Sequence, residues 1–405
     1  MNESELFQTA LGLLPPWRVE RCSFDETAGR LDLYLDFPRG SVFSCPVCQA
    51  SNCKAYDTDN LTWRHLNFFQ HQAVLQARTP RVECSQCGIH RVAVPWARPG
   101  SGFTLLFEAM VMMLAKSMPI LAVSRVIEEH DTLTWRIVTH YVEAARAQAD
   151  HSKITQAGVD ETAARRHKFV SLFVDLAERK VVFVTPGKDA ATVAAFAADL
   201  QVHGGDPQAV TEVSADMSKA FIKGIAASLP NAQVTFDKFH VVSLVNHAVD
   251  EVRRLERKDH PALSGSRYVW LKNPENLTVG QWETFDTLDI ANSHLKTARA
   301  YQIRLAFQDL FHQPADQAKS FLDQWYFWAT HSRLPAIVAV AKTIRRHQDG
   351  ILRWFTSGIN NGILEGINSL VQAAKAKARG YRSDRNLATI IYLIAGKLDF
   401  SRLPT

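Results

Sequence analysis

Four of the six cysteines fall in two pairs, Cys45-Pro46-Val47-Cys48 and Cys84-Ser85-Gln86-Cys87, with thirty-five residues between them. Thiolates bind Zn²⁺ tetrahedrally at ~2.3 Å, and two Cys-x-x-Cys knuckles supply four ligands with little strain. The expectation is one structural zinc on Cys45, Cys48, Cys84 and Cys87. Four thiolates leave no open position, so this ion does no chemistry. Gly88 eases the turn after the second knuckle. Cys22 and Cys53 have no obvious partner and read as ordinary thiols; His65, His71 and His90 are the residues that could replace a cysteine.

The second set is acidic. Asp160 and Asp216 each end an apolar run that reads as a buried strand. A carboxylate there is costly unless it is solvated or holds a cation. Strand ends line the ligand crevice of α/β sheets, and two such carboxylates suit Mg²⁺. Phosphodiester chemistry commonly uses two ions ~3.5–4 Å apart, which calls for a third acid. Glu365 is the candidate. At 3.6 residues per turn, one stripe of its helix reads Asn361, Glu365, Asn368, Gln372, Lys375, Arg379, and the opposite one reads Ile363, Ile367, Leu370, Ala374, Ala378. The second stripe should pack. The first grades from acidic to basic, as suits a helix with one end at a metal and the other along a phosphate backbone. Taken singly each acid reads as a cap or a solvated group; the set points to chemistry. Asp237 and His240 follow another strand as accessory candidates, for which a structural Asp/His pair is the simpler reading. Glu161 reads as a neighbour of the site.

These residues need elements to hold them. Residues 28–37 alternate as a half-buried strand does, and 72–83 form a second extended run ending at the second knuckle. Pro95, Pro99, Gly100 and Gly102 mark a linker. Residues 103–116, 120–129 and 133–147 carry helix-spaced apolar positions, with Thr132 as the cap of the third. Three short helices with tight turns suggest a helix-turn-helix. Its last helix would present Thr134, Trp135, Arg136, Thr139 and His140 to the major groove; a bundle used for dimerisation is the alternative. Arg64 and Arg81 lie near the cysteines as candidate phosphate contacts. From 154 the predicted order is β-β-β-α-β-α-β, a mixed α/β core. Residues 240–355 are mainly helical and rich in Trp, which reads as core rather than as DNA wedges. The division is 1–100 zinc module, 101–150 helix-turn-helix, 151–242 first part of the core, 243–355 helical insertion and 356–405 final helices with a basic tail.

The chain has 405 residues and a net charge of +5. Residues 341–405 hold eleven basic and four acidic side chains, a local +7, so the remainder nets −2. A neutral body with a basic end suggests a polyanion partner. No apolar run reaches the ~18 residues of a membrane helix. The N-terminus lacks a basic n-region. The expected compartment is the cytosol, where cysteines persist as thiols or metal ligands.

In order and spacing, these pieces resemble the DDE transposases of the ISL3 insertion-sequence family. The resemblance spans nearly the whole chain. It rests on the cysteine pairs, the junction from Pro95 to Thr104 and the helical module. It continues through Gly158-Val159-Asp160-Glu161, Ala215-Asp216-Met217, Phe236-Asp237-Lys238-Phe239-His240, Leu364-Glu365-Gly366-Ile367-Asn368 and the motif from Lys375 to Arg382. It implies an RNase H-like mixed α/β core with a helical insertion, preceded by a zinc-binding module and a helix-turn-helix. Asp160, Asp216 and Glu365 would form the catalytic triad on two Mg²⁺ ions, with Mn²⁺ as a substitute. The partners would be double-stranded DNA, as terminal inverted repeats and target, with Lys375, Arg379 and Arg382 among the contacts. A homodimer or higher oligomer would form in the bacterial cytosol, at the nucleoid. The rivals are a catalytically silent DNA-binding regulator and an RNase H-like nuclease.

Overall fold

The computed structural model describes residues 2–165, 168–291, 294–359 and 362–401, with 289–291 described for backbone only. These form two compact units, 2–145 with 399–401, and 146–398.

The first unit opens with α1 (Glu3–Ala10), capped by Asn2, and a six-stranded sheet: β1 (Arg18–Asp25), β2 (Arg30–Asp36), β3 (Val42–Phe43), β4 (Cys53–Phe68), β5 (His71–Cys84) and β6 (Gly88–Arg91). The order is β1-β2-β5-β4-β3, with β6 also on β5. The long hairpin β4–β5 accounts for the spacing of the cysteines. It leaves just after the first knuckle, turns at Phe69-Gln70 and returns at Cys84. Leu31, Leu33, Leu35, Leu75 and Trp63 fill its core. Helices α2 (Leu105–Ala115), α3 (Ile120–Ile127) and α4 (Asp131–Arg146) follow. Thr104 caps α2 by accepting from the Phe107 N–H. The third helix begins two residues earlier than expected. His130 Nδ1 accepts from the Thr132 N–H, so His130, not Thr132, supplies the cap. The fully buried Glu108 carboxylate accepts from Arg98 Nε at 2.9 Å, Ser101 Oγ at 2.7 Å and the Tyr141 hydroxyl at 2.6 Å. A buried charge is stable only when paired in this way.

The second unit is built on five strands: β7 (Gln156–Arg165), β8 (Lys168–Asp175), β9 (Lys180–Pro186), β10 (Glu212–Ala215) and β11 (Gln233–Phe236). Their order is β9-β8-β7-β10-β11; β7, β10 and β11 are parallel, and β8 and β9 antiparallel to their neighbours. Helices α5 (Ala190–Val202) and α6 (Lys219–Ser228) make the crossovers. Asp189 caps α5. Val193, Phe196, Leu200, Phe221 and Ile225 bury one face of the sheet. On the outer side of β9 the Val184 N–H donates to the Tyr392 hydroxyl at 2.8 Å, and the Val182 carbonyl accepts from Arg146.

Between Asp237 and Glu365 the chain is helical, as expected: α7 (Lys238–Glu256), α8 (Arg267–Leu271), α9 (Val279–Ala291), α10 (Lys296–Asp309), α11 (Ala315–Thr330), α12 (Pro335–Arg346), α13 (Gln348–Leu352) and α14 (Trp354–Ser357). Trp270 and Trp325 are core residues with satisfied indole N–H groups, whereas Trp282 and Trp328 are about two-fifths exposed. Gly350 of α13 lies so close to β11 that a Cβ there would sit 2.5 Å from the Phe236 ring. The last helices are α15 (Gly362–Ala378) and α16 (Asp384–Ala395). No helix among the described residues is long and apolar enough to cross a membrane.

Candidate active site and metal centre

The cysteine cluster is assembled as expected. One sulfur from each of Cys45, Cys48, Cys84 and Cys87 lies within 4.8 Å of the others, and Cys48 and Cys84 are 3.6 Å apart. The knuckles are alike: the residue after the second cysteine is left-handed in both, Gln49 at φ 61° and Gly88 at φ 84°. Backbone N–H groups of Cys48 and Val47 favour the Cys45 thiolate, and those of Gln86 and Cys87 bring Cys84 down to about 6, whereas the hydrogen bond to Cys48, burial and the neighbouring sulfurs push Cys87 up to about 12, so it is the cysteine that needs the cation to ionise. Thiolates are the ligating form, so the donors suit Zn²⁺. The histidines are engaged elsewhere. His65 hydrogen-bonds Thr104, His71 packs on Phe24, and His90 meets the Cys87 carbonyl. Cys53 has a neighbour after all: burial, and then the Cys84 sulfur, push its thiol up. Cys22 donates to Glu3.

The acids are set by register. Ser214 of β10 pairs with Gly158 of β7 and with Thr235 of β11. Two residues on from that rung come Asp160 on β7 and Asp216 and Asp237, each one residue past the end of β10 and β11, on three adjacent parallel runs of chain. Side chains two apart point to one face. Asp160 does not end its strand, contrary to expectation: β7 runs on to Arg165 because β8 continues to pair with it. Its neighbour β10 stops, however, so Asp160 still lies beyond the last parallel rung. Asp160 Oδ1 accepts from the Glu161 N–H at 2.7 Å, Asp216 Oδ1 from Ser218 N–H at 2.9 Å and Asp237 Oδ1 from Phe239 N–H at 2.8 Å. Glu161 pairs with Lys188 at 3.6 Å. Burial raises Asp160 to about 6, with Asp216 and Asp237 adding to the rise and His240 opposing it.

His240 Nδ1 lies 2.9 Å from Asp237 Oδ2. The bond to Asp237 raises His240 to about 9, helped by the charges of Asp160 and Asp216. The pair's stabilisation is fully present below the ordinary histidine pKa of ~6.5 and is lost as pH rises through about 9. Asp237→Asn should bring the His240 midpoint down, read from its ring proton by NMR without added Mg²⁺. An unmoved midpoint would show that Asp237 is not the group holding the charge.

Helix α15 lies along β7. Asn368 Nδ2 donates to Asp160 Oδ2, Gln372 to Thr162 and Lys375 to the Ala163 carbonyl. Leu364 closes on Gly158, where a Cβ would meet both its methyls at 3.0 Å. The buried positions are Leu364, Ile367 and Val371. The helix is therefore rotated from the expected packing stripe: Leu370 is 45% exposed. The correction has a physical cause, since the polar side chains at 368, 372 and 375 reach down to the strand. Glu365 is exposed, one turn before Asn368, and Asn361 lies outside the described residues.

Several candidate DNA contacts need correction. Arg64 is 8% exposed; it donates to the carbonyls of His65 and Ala73 and to Asn67, and is 3.9 Å from Glu129. It holds the sheet together and does not reach phosphate. Thr134 is fully buried and bonds Ser124 Oγ at 2.8 Å, joining α3 to α4, so it does not reach a base. Arg81 is partly exposed but is held by Asp57. Lys375 is tied to β7, as above. Arg136 and His140 are exposed on α4, with Trp135 and Thr139 half-buried beside them. Arg379, left-handed at φ 57°, and Arg382 are exposed beyond α15.

Comparison with known proteins finds matches along most of the chain. The transposase domain of the ISL3 type matches residues 157–391, the helix-turn-helix domain of transposase family ISL3 matches 92–142, and the zinc-finger of transposase IS204/IS1001/IS1096/IS1165 matches 41–87. The chain is 30% identical over 436 aligned residues to the transposase for insertion sequence element IS1557 of Mycobacterium tuberculosis, covering 97% of this chain and 96% of that protein. It is 31% identical over 390 residues to the transposase for insertion sequence element IS1001 of Bordetella parapertussis, covering 92% and 94%. The matched domains and relatives are those of a DNA transposase of the DDE class. The chain belongs to the ISL3 family.

Proposed function

We propose that Asp160, Asp216 and Glu365 hold Mg²⁺, with Mn²⁺ able to replace it, and that the protein cuts and joins DNA at the terminal inverted repeats of an insertion sequence. The carrying observation is the shared register of Asp160 and Asp216 on adjacent parallel strands, with the Glu365 helix tied to Asp160 through Asn368. The donors fit the ion. They are hard oxygens, and Asn368 Oδ1 is a further buried oxygen without a hydrogen-bond partner. When bound, two such ions neutralise charge on the attacking and leaving oxygens of phosphoryl transfer. Asp160 supplies a carboxylate whose burial and like-charged neighbours disfavour ionisation until a cation arrives. Asp237 and His240 position one another at the rim. End cleavage should proceed with added Mg²⁺ or Mn²⁺ and stop with Ca²⁺ alone. Full cleavage without any added divalent ion would sink the assignment.

Sequence recognition falls to α4. Arg136→Ala should weaken binding to a duplex carrying the terminal repeat more than to random duplex, by ~1–3 kcal/mol for a lost base contact. Equal losses on both DNAs would make Arg136 a phosphate contact. A homodimer or higher oligomer on the paired ends, in the bacterial cytosol at the nucleoid, completes the reading; light scattering of the end complex measures the copy number.

A further inference from the structure

Behind the sheet, away from the carboxylates, the chain enters the second unit through His151, which is 2% exposed. Its ring stacks near that of His203, with centroids 4.8 Å apart, and its main-chain N–H donates to the His203 carbonyl at 2.9 Å. Asp199 and His203 are one turn apart at the C-terminal end of α5, a spacing that puts both on one helix face. One donor atom from each of His151, Asp199 and His203 lies within 4.8 Å of the others.

The cluster is chemically unfinished. Neither ring nitrogen of His151 makes a hydrogen bond of ordinary geometry, and Asp199 Oδ2 has only His203 Nδ1, at 3.4 Å. Buried polar atoms are ordinarily satisfied, so two unbonded ring nitrogens beside a carboxylate oxygen with one long contact call for an explanation. Asp199 Oδ1 is taken by Arg146, which also lies over the Tyr392 ring at 4.5 Å. His203 Nδ1 is engaged by the Asp199 main-chain carbonyl at 2.8 Å. Burial keeps the His151 imidazole below the ordinary range and so neutral, the form that ligates.

We propose that His151, Asp199 and His203 form a second transition-metal site, of the zinc class, on the catalytic unit. Two imidazoles and one carboxylate are a donor set that Zn²⁺ accepts, with a fourth position left for water. Arg146 plays the outer part, orienting the carboxylate as partners beyond the ligands commonly do. The ion would staple the segment entering the core to the end of α5. It takes no part in strand transfer, and rests on geometry separate from the carboxylate assignment.

The test is a metal count on untagged full-length protein after dialysis against trace Zn²⁺. The expected result is about two zinc ions per chain, one on the cysteines and one here. His203→Gln and Asp199→Asn should each lose one equivalent, whereas His260→Gln, at an exposed histidine, should lose none. Zinc should raise the melting temperature of a Cys84→Ser/Cys87→Ser protein, and His203→Gln in that background should remove the rise. A wild-type count of one, or a count of two that His203→Gln and Asp199→Asn leave unchanged, overturns the proposal. The wild-type count decides even where a variant does not fold.

Discussion

Asp160→Asn, Asp216→Asn and Glu365→Gln should each abolish cleavage and joining, by on the order of 10³-fold or more, while DNA binding survives. Each change keeps side-chain size and removes one negative charge from the proposed ion site. Groups that act as a unit lose activity together, so a double variant should be no worse than a single one. Binding should survive because in the proposed reading it falls to the cysteine unit, α4 and the basic end of the chain, not to the three acids. It can strengthen, since acids facing phosphates repel them when no cation is present. Asp237→Asn is the internal comparison: it shares the register of the other two, yet its second oxygen is committed to His240 at 2.9 Å, and partial activity is expected. Gel assays of end cleavage and of end binding on the same preparations read both effects. A dead Asp237→Asn alongside an active Glu365→Gln would move the third ligand to Asp237.

Cys84→Ser should release one zinc equivalent and weaken binding to the transposon end. Cys84 closes β5, and its partner knuckle leads into β4, so the ion joins the two open ends of one hairpin. Zinc binding in isolated finger peptides contributes about 10–16 kcal/mol, and such modules unfold without it. The effect should stop at the unit boundary. Among the described residues, the core of the catalytic sheet, Val193, Phe196, Leu200 and their neighbours, contains none from the first unit. Limited proteolysis should therefore degrade the first unit and leave a resistant fragment from about residue 146. Native zinc content in Cys84→Ser would remove Cys84 from the ligand set.

Much of this was legible in the sequence because the signals were local. Knuckle spacing needs only a short loop, and β11, Gln-Val-Thr-Phe, carries the polar–apolar alternation of a strand. What escaped was decided by tertiary neighbours. Strand β4 is sixteen residues long but largely exposed, with Lys54, Tyr56, Asp57 and Asp59 spoiling any alternation; it is a strand because β5 pairs with it. Arg64 reads as a free cation until its neighbours are seen to supply three acceptors. The phase of α15 was misjudged because Asn368, Gln372 and Lys375 make hydrogen bonds that a hydrophobic stripe does not announce. The cluster of His151, Asp199 and His203 joins residues about fifty positions apart, with only the Asp199–His203 spacing visible beforehand.

The treatment of the catalytic sheet's margins has a consequence for assembly. A sheet border normally presents unpaired N–H and C=O groups on which another chain can add a strand. Along β9 the Val184 N–H and the Val182 carbonyl are already occupied, by Tyr392 and Arg146. Along β11, a four-residue strand, α13 presses in at Gly350, and Arg353 clasps Gln233 and Glu212. Two backbone groups of β9 and the side chains of Gln233 and Glu212 are engaged in this way, which narrows the room for strand addition at either border. The homodimer or higher oligomer proposed above would then be expected to form through helical surfaces, the cysteine unit or the DNA itself rather than by strand addition to this sheet.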